Sequence, residues 1–217
     1  MLSLSEKLDR GVIVSERGAG RTNQKTRTRK AIVDACRELI RGGRDVTMPE
    51  VARSALVSDA TAYRYFPDLA SLLSEATVGL WASPAHAMAP VAQSTDPIER
   101  VAFATEALLR GVLAYQGGVR AMISPTIVRP ETAASRPGIR FGLIDYALAP
   151  FDTVRAARDP DVLTRLKRDL AAVVSPEALF SLTDQCGLSP DDAIASCVRI
   201  AKILTGAALC RELMARS

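Results

Sequence analysis

The sequence predicts an all-α protein in two parts: a three-helix unit near the N-terminus, then a longer helical domain. Three observations carry this expectation. The apolar residues make up 48% of the 217 and are mainly Ala, Leu, Val and Ile, with only 5% of the chain aromatic. Thr-Val-Tyr runs are few and no Asn-Gly hairpin turn occurs, which argues against strands. Helix starts recur at Asp96-Pro97, Asp159-Pro160, Ser175-Pro176 and Ser189-Pro190. Each pairs a capping side chain with a proline at the first helical position, where its missing N–H costs nothing.

Residues 1–24 are polar, Gly-containing and weakly periodic, and read as a flexible basic arm. From Lys25 the pattern turns helical, with Ile32, Cys36, Leu39 and Ile40 on one face. Gly42-Gly43 ends that helix. Thr47 is then an N-cap, with Pro49 in the first turn and Glu50 at the third helical position, as in a capping box. Val51, Ala52 and Ala55 are the inward face of this short second helix. Ser58 caps a third helix that stops before Pro67. Two short helices joined by a tight turn thus occupy Thr47 to Phe66. Beyond them, helices are expected near 69–82, 97–115, 118–126, 138–157, 160–174, 176–186 and 190–215, with a loop at 129–137. The expected division is an arm over 1–24, a helix-turn-helix unit over 25–68 and a helical domain over 69–217.

Charge is distributed unevenly. The net charge is +4, yet residues 1–66 hold a net of +5 and the remainder a net of −1. Residues 17–30 contain Arg17, Arg21, Lys25, Arg27, Arg29 and Lys30 and no acid. Such a stretch can neutralise phosphates and release counterions, or it can be a solvated tail; charge alone leaves both open.

Other function classes find little support. The four cysteines form no CxxC pair and His86 is the single histidine, so neither a zinc site nor any other metal is expected. G-x-S-x-G, a P-loop and H-E-x-x-H are missing, and His86 in a Pro/Ala-rich connector is a poor base for a Ser-His-Asp arrangement. No catalytic residues and no cofactor are expected. MLSLSEKLDR lacks the apolar core of a signal peptide. Ala76 to Thr95 is uncharged but interrupted by Pro84 and Pro90, against a membrane span. A cytoplasmic protein is the expectation.

A helix-turn-helix places its second helix in the DNA major groove. That helix here is Ser58-Asp59-Ala60-Thr61-Ala62-Tyr63-Arg64-Tyr65-Phe66. The hydroxyls of Ser58 and Thr61 and the helix N-terminus suit phosphates. Arg64 has the paired donors to read a guanine edge, and Asp59 can accept from a cytosine amino group. Tyr63 and Tyr65 place hydroxyls toward the backbone. Val51, Ala52, Val57, Ala62 and Phe66 fit a core and need no contact with DNA. The arm adds Arg27 and Arg29 as candidate DNA contacts.

VTMPEVARSALVSDATAYRYFPDLASLL resembles the signature of the tetracycline-repressor (TetR) family through Thr47, Val51, Ala52, Val57, Ser58, Thr61, Tyr63, Tyr65 and Phe66. The resemblance covers about residues 27–73. It implies that Thr47 caps the second helix at a phosphate, that Tyr63 and Tyr65 touch the DNA backbone, and that Asp59, Ala60, Thr61 and Arg64 face bases. Two departures stand out. Leu56 occupies a turn position where the family usually has Gly, and Leu69 stands where it commonly has Lys. The basic arm, placed in the minor groove, is a candidate to compensate for the lost phosphate contact.

The last helix is apolar nearly all round. Ala193, Cys197, Ile200, Leu204 and Ala208 make one stripe, and Ile194, Val198, Ala201, Thr205 and Leu209 another. A surface helix needs one, so the first is assigned to a homodimer interface, as the resemblance also implies; a central core helix is the competing account. Two-fold symmetry would space the reader helices by about one DNA turn, roughly 34–36 Å, and require a palindromic operator in double-stranded DNA. Residues 97–186, with Trp81 nearby, are expected to hold a small-molecule effector among Trp81, Phe103, Tyr115, Met122, Phe141 and Tyr146, although each also suits plain core. Arg129, Arg136 and Arg140 flank the 129–137 loop, where solvated surface competes with an anion-binding role. The function expected is a dimeric DNA-binding repressor released by a ligand. A DNA-coating protein without sequence preference, and a helical enzyme or ligand-binding module, are the alternatives.

Overall fold

The computed structural model describes residues 4–128, 138–155 and 160–214, with side chains described for 22–128, 138–151 and 161–208. The described residues are helices and turns, without strands. No helix among them is long and apolar enough to cross a membrane.

The first four helices make the N-terminal unit: α1 (Leu4–Arg41), α2 (Met48–Ser54), α3 (Asp59–Tyr65) and α4 (Leu69–Ala76). Their inward faces build one core from Ile32, Cys36, Leu39, Ile40, Val51, Ala52, Phe66, Leu72 and Leu73. Thr47 caps α2 through its Oγ1, which accepts from the Glu50 N–H at 3.3 Å. Ser58 caps α3, its Oγ accepting from the Thr61 N–H at 3.2 Å. Asp68 does the same for α4. Each cap satisfies an N–H that the helix itself leaves unpaired.

The 1–24 segment differs from the expected flexible arm, because α1 is helical from Leu4. Glycines at 11, 18 and 20 each weaken a helix by roughly 0.5–1 kcal/mol relative to alanine. That is a small charge against propagation once residues 32–40, packed on the core, have supplied the costly nucleus.

The second domain comprises α5 (Pro84–Ala87), α6 (Pro97–Ala114), α7 (Gln116–Val128), α8 (Ile139–Arg155), α9 (Pro160–Val173), α10 (Pro176–Phe180) and α11 (Pro190–Met214). Helix α6 is central and packs on α8 and α11, while α9 lies against α8 and α11. Met88, Leu109, Leu148, Leu170 and Leu179 are among its fully buried side chains. Two boundaries fall short of the sequence-based expectation. Helix α4 ends at Ala76 rather than 82, and Gly79 beyond it turns with φ 78°. The helix expected over 176–186 widens after Phe180 into a π turn at Ser181–Gln185, where the Cys186 N–H reaches the Ser181 carbonyl at 3.2 Å. That turn presents Asp184 to Arg120, which grips both carboxylate oxygens at 2.6 and 2.8 Å and stacks 3.8 Å from the Phe180 ring centre. The hydrogen bonds from Arg120 hold the Asp184 carboxyl below its ordinary range.

Helix α7 belongs to both parts. A Cβ on Gly117 would come within 1.9 Å of the Arg44 carbonyl oxygen, and one on Gly118 within 2.8 Å of Ile40 Cγ1. The N-terminal turn of α7 therefore rests, backbone against backbone, on the connection between α1 and α2. Tyr115, Ala121 and Met122 extend that contact onto the N-terminal core.

Candidate nucleic-acid interface

Helix α3 is seven residues long and buries little besides Ala62, whose side chain is fully enclosed. Asp59, Ala60, Tyr63 and Arg64 are exposed, and Thr61 and Tyr65 half-buried. Tyr63 keeps 49% of its surface open although it is a large aromatic residue. Phe66, Val51 and Ala52 are buried, as their spacing suggests, and Val57 packs at the edge of the same core. The hydroxyls of Ser58 and Thr61 lie 2.9 Å apart. Arg64 stands over the Tyr65 ring at 5.6 Å, a contact that orients the guanidinium without consuming its donors.

Leu56 adopts φ 56°, the left-handed region, and is 93% exposed. The turn thus keeps the conformation that glycine takes freely and accepts the steric cost of a Cβ. Leu69, at the start of α4, packs on the edge of the N-terminal core, so apolar contact stands where a cation would project.

The two arginines assigned from α1 diverge. Arg27 is exposed and has no hydrogen bond or ion pair among the described residues. Arg29 is engaged within the protein. Its Nη1 donates to the Tyr65 carbonyl at 3.2 Å, its Nη2 to Glu75 Oε2 at 2.5 Å, and its guanidinium lies 4.3 Å from the Phe66 ring centre. It clamps α1 to the ends of α3 and α4. Sequence reasoning missed this because Glu75 and Tyr65 lie 46 and 36 residues away, and nothing local pairs them. Among the cations not singled out from the sequence, Arg44 and Arg53 flank Glu50, at 3.5 and 2.7 Å.

Residues 32–76 match the family model for bacterial regulatory proteins of the tetR family. The chain carries the DNA-binding domain of the tetR family. It is a DNA-binding transcriptional regulator. The match ends with the last residue of α4, so the tetR-type domain coincides with the part of the N-terminal unit that has its own core. The whole architecture is similar to the crystal structure of a TetR transcriptional regulator from Rhodococcus sp. RHA1. That similarity has a TM-score of 0.51 and 22% identity, and covers 83% of this chain and 97% of that one; at that identity it speaks for the fold. No curated protein matches the chain in sequence.

Behind the tetR-type domain, α6, α7 and α8 border a partly open cavity of about 130 Å³. Of the six residues assigned to an effector site, Trp81, Met122 and Phe141 line it. Phe103, Tyr115 and Tyr146 do not. Tyr115 meets Trp81 edge-on from behind, with ring centres 5.6 Å apart. Tyr146 lies against the buried Arg100 at 5.7 Å, and Phe103 packs on the domain core. Arg140 lines the cavity; Arg129 and Arg136 lie outside the described residues.

The stripe assigned to a subunit interface divides as well. Ala193 and Cys197 are 0% and 1% exposed within one chain, so the domain's own core consumes them and they cannot meet a second subunit. Leu204 and Ala208 are half-buried against that core. Ile200 is 38% exposed and Ile203, outside the predicted stripe, is 61% exposed. The error arose because a helix with two apolar stripes does not reveal which one faces inward.

Proposed function

We propose that this regulator is a homodimeric repressor that binds a palindromic operator through α3 and leaves it when a small molecule occupies the cavity. In this reading Asp59, Ala60, Thr61 and Arg64 face base edges. Thr47, Ser58, Tyr63, Tyr65 and Arg27 contact phosphates. Subunits meet through the outer face of α11 around Ile200 and Ile203, with Leu204 and Ala208 alongside.

One observation carries the proposal: α7 lines the cavity with Val119, Met122 and Ile123, and rests on the α1–α2 connection through Gly117 and on Ile40 of α1 through Gly118. An occupant that displaces α7 must displace the tetR-type domain, because close-packed interiors pass on strain rather than absorb it. Ligand and DNA would then compete through two arrangements of the same helix.

The test is selection of binding sites from random DNA by the purified protein, followed by titration of the best site against scrambled DNA. A palindrome bound about 10³-fold or more above background is expected. Equal affinity for both would make the protein a sequence-neutral DNA binder. Sedimentation of the free and DNA-bound protein checks the dimer, and Ile203→Glu should shift it toward monomer.

A further inference from the structure

The cavity in the second domain is apolar apart from one cation. Leu108, Val112, Met122, Ile123 and Phe141 supply hydrocarbon and aromatic surface, and Arg140 supplies the charge. Arg140 sits in the first turn of α8 with its side chain 25% exposed. Its hydrogen bonds to the described residues are long. Nη1 lies 3.5 Å from the Ala171 carbonyl and 3.4 Å from Glu177 Oε2, and the guanidinium plane lies over Phe141. Nε and Nη2 have no acceptor among the described residues. The Trp81 indole N–H, also at the cavity, has none either. The site therefore offers donors around an apolar volume, and no carboxylate lines it among the described residues.

We propose that this cavity binds a small carboxylate of single-ring size, its body among Trp81, Leu108, Val112 and Met122 and its anion on Arg140. The proposal rests on the reading of the second domain as ligand-binding and names the ligand's chemical class. Size follows from volume: about 130 Å³ is close to the roughly 150 Å³ apolar cavity known to accept benzene. Charge follows from Arg140. A guanidinium whose Nε/Nη2 edge has no acceptor among the described residues matches a carboxylate in bidentate geometry, and the start of a 17-residue helix adds a favourable dipole. Glu177, held at 3.4 Å, is the competitor that such an anion displaces.

Trp81 is the single tryptophan of the chain and lines the cavity, so intrinsic fluorescence reports occupancy without DNA. Titrations compare phenylacetate and benzoate with their neutral amides. We expect saturable change, with the acid at least ~10-fold tighter than the amide, or about 1.4 kcal/mol. Arg140→Gln should bring acid and amide to parity, Arg140→Lys should keep most of the preference, and Glu177→Gln should strengthen acid binding. Parity in the wild type, no saturable change with any probe, or an acid preference that survives Arg140→Gln overturns the proposal. An acid that binds by fluorescence yet leaves the operator complex intact leaves this chemistry standing and overturns the release mechanism instead.

Discussion

Arg100 donates from Nη2 to the Tyr146 carbonyl at 2.8 Å, an acceptor whose helical partner would be the N–H of residue 150, a proline. Its Nε serves the next carbonyl, Ala147, at 2.9 Å, and its Nη1 serves Val91 and Ala92 at 2.8 and 3.2 Å. The side chain is 2% exposed and has no carboxylate partner among the described residues. A buried cation is tolerated here because Pro150, inside α8, offers no N–H to the Tyr146 carbonyl. Arg100→Met should lower unfolding free energy by about 2–4 kcal/mol in denaturant titration. Pro150→Ala alone should change little, yet should recover part of the loss in the double variant by restoring a 150-to-146 bond. Simple additivity would refute the link.

At the helix-turn-helix turn, Leu56→Gly should stabilise the protein. The left-handed conformation costs a Cβ-bearing residue about 1–2 kcal/mol, partly offset by the greater freedom of glycine in the unfolded chain. A gain of about 0.5–1 kcal/mol in thermal or chemical unfolding is expected. A loss would mean that the exposed Leu56 side chain makes a stabilising contact.

Arg29 and Arg64 should separate stability from recognition. Arg29→Ala removes the clamp between α1, Tyr65 and Glu75, and should cost about 1 kcal/mol, as suits a half-exposed pair plus a cation–π contact. Its operator binding should keep the wild-type dependence on salt. Arg64→Ala should leave stability within ~0.5 kcal/mol and relax selectivity at one base pair in each half-site, read by competition with single-substitution operators. Uniform weakening on all sequences would make Arg64 a phosphate contact.

Gly117→Ala should part the two domains. The added methyl meets backbone at Arg44, which cannot swing away, whereas at Gly118 it meets the flexible end of Ile40. Gly117→Ala should cost at least ~2 kcal/mol and Gly118→Ala less, with faster amide exchange around Asp45 in the first. The reverse order would contradict the close approach of α7.

Thiol chemistry should follow burial. Cys36 is fully buried, and desolvation pushes its thiol up to about 12, so it stays protonated at pH 8. Cys186 is exposed. Site-resolved alkylation of the native protein at pH 8 should label Cys186 promptly and Cys36 only on unfolding.

Most of the helices were legible in the sequence because their starts are local events. Thr47, Ser58, Asp96 and Ser175 each cap a helix a few residues away, and the structure realises all four. The exposed face of α3 followed similarly from periodicity around Ala62 and Phe66. The Leu56 turn was legible as a departure, though not the way its strain is accommodated.

What the sequence determined by itself was most of the helices and the exposed face of α3, since caps and periodicity act over three or four residues. Tertiary structure alone decided which apolar face of α11 turns inward, that Arg29 is a clamp rather than a free cation, and which aromatics border the cavity. Those outcomes depend on groups tens of residues apart in the chain, brought together by packing that no local pattern encodes.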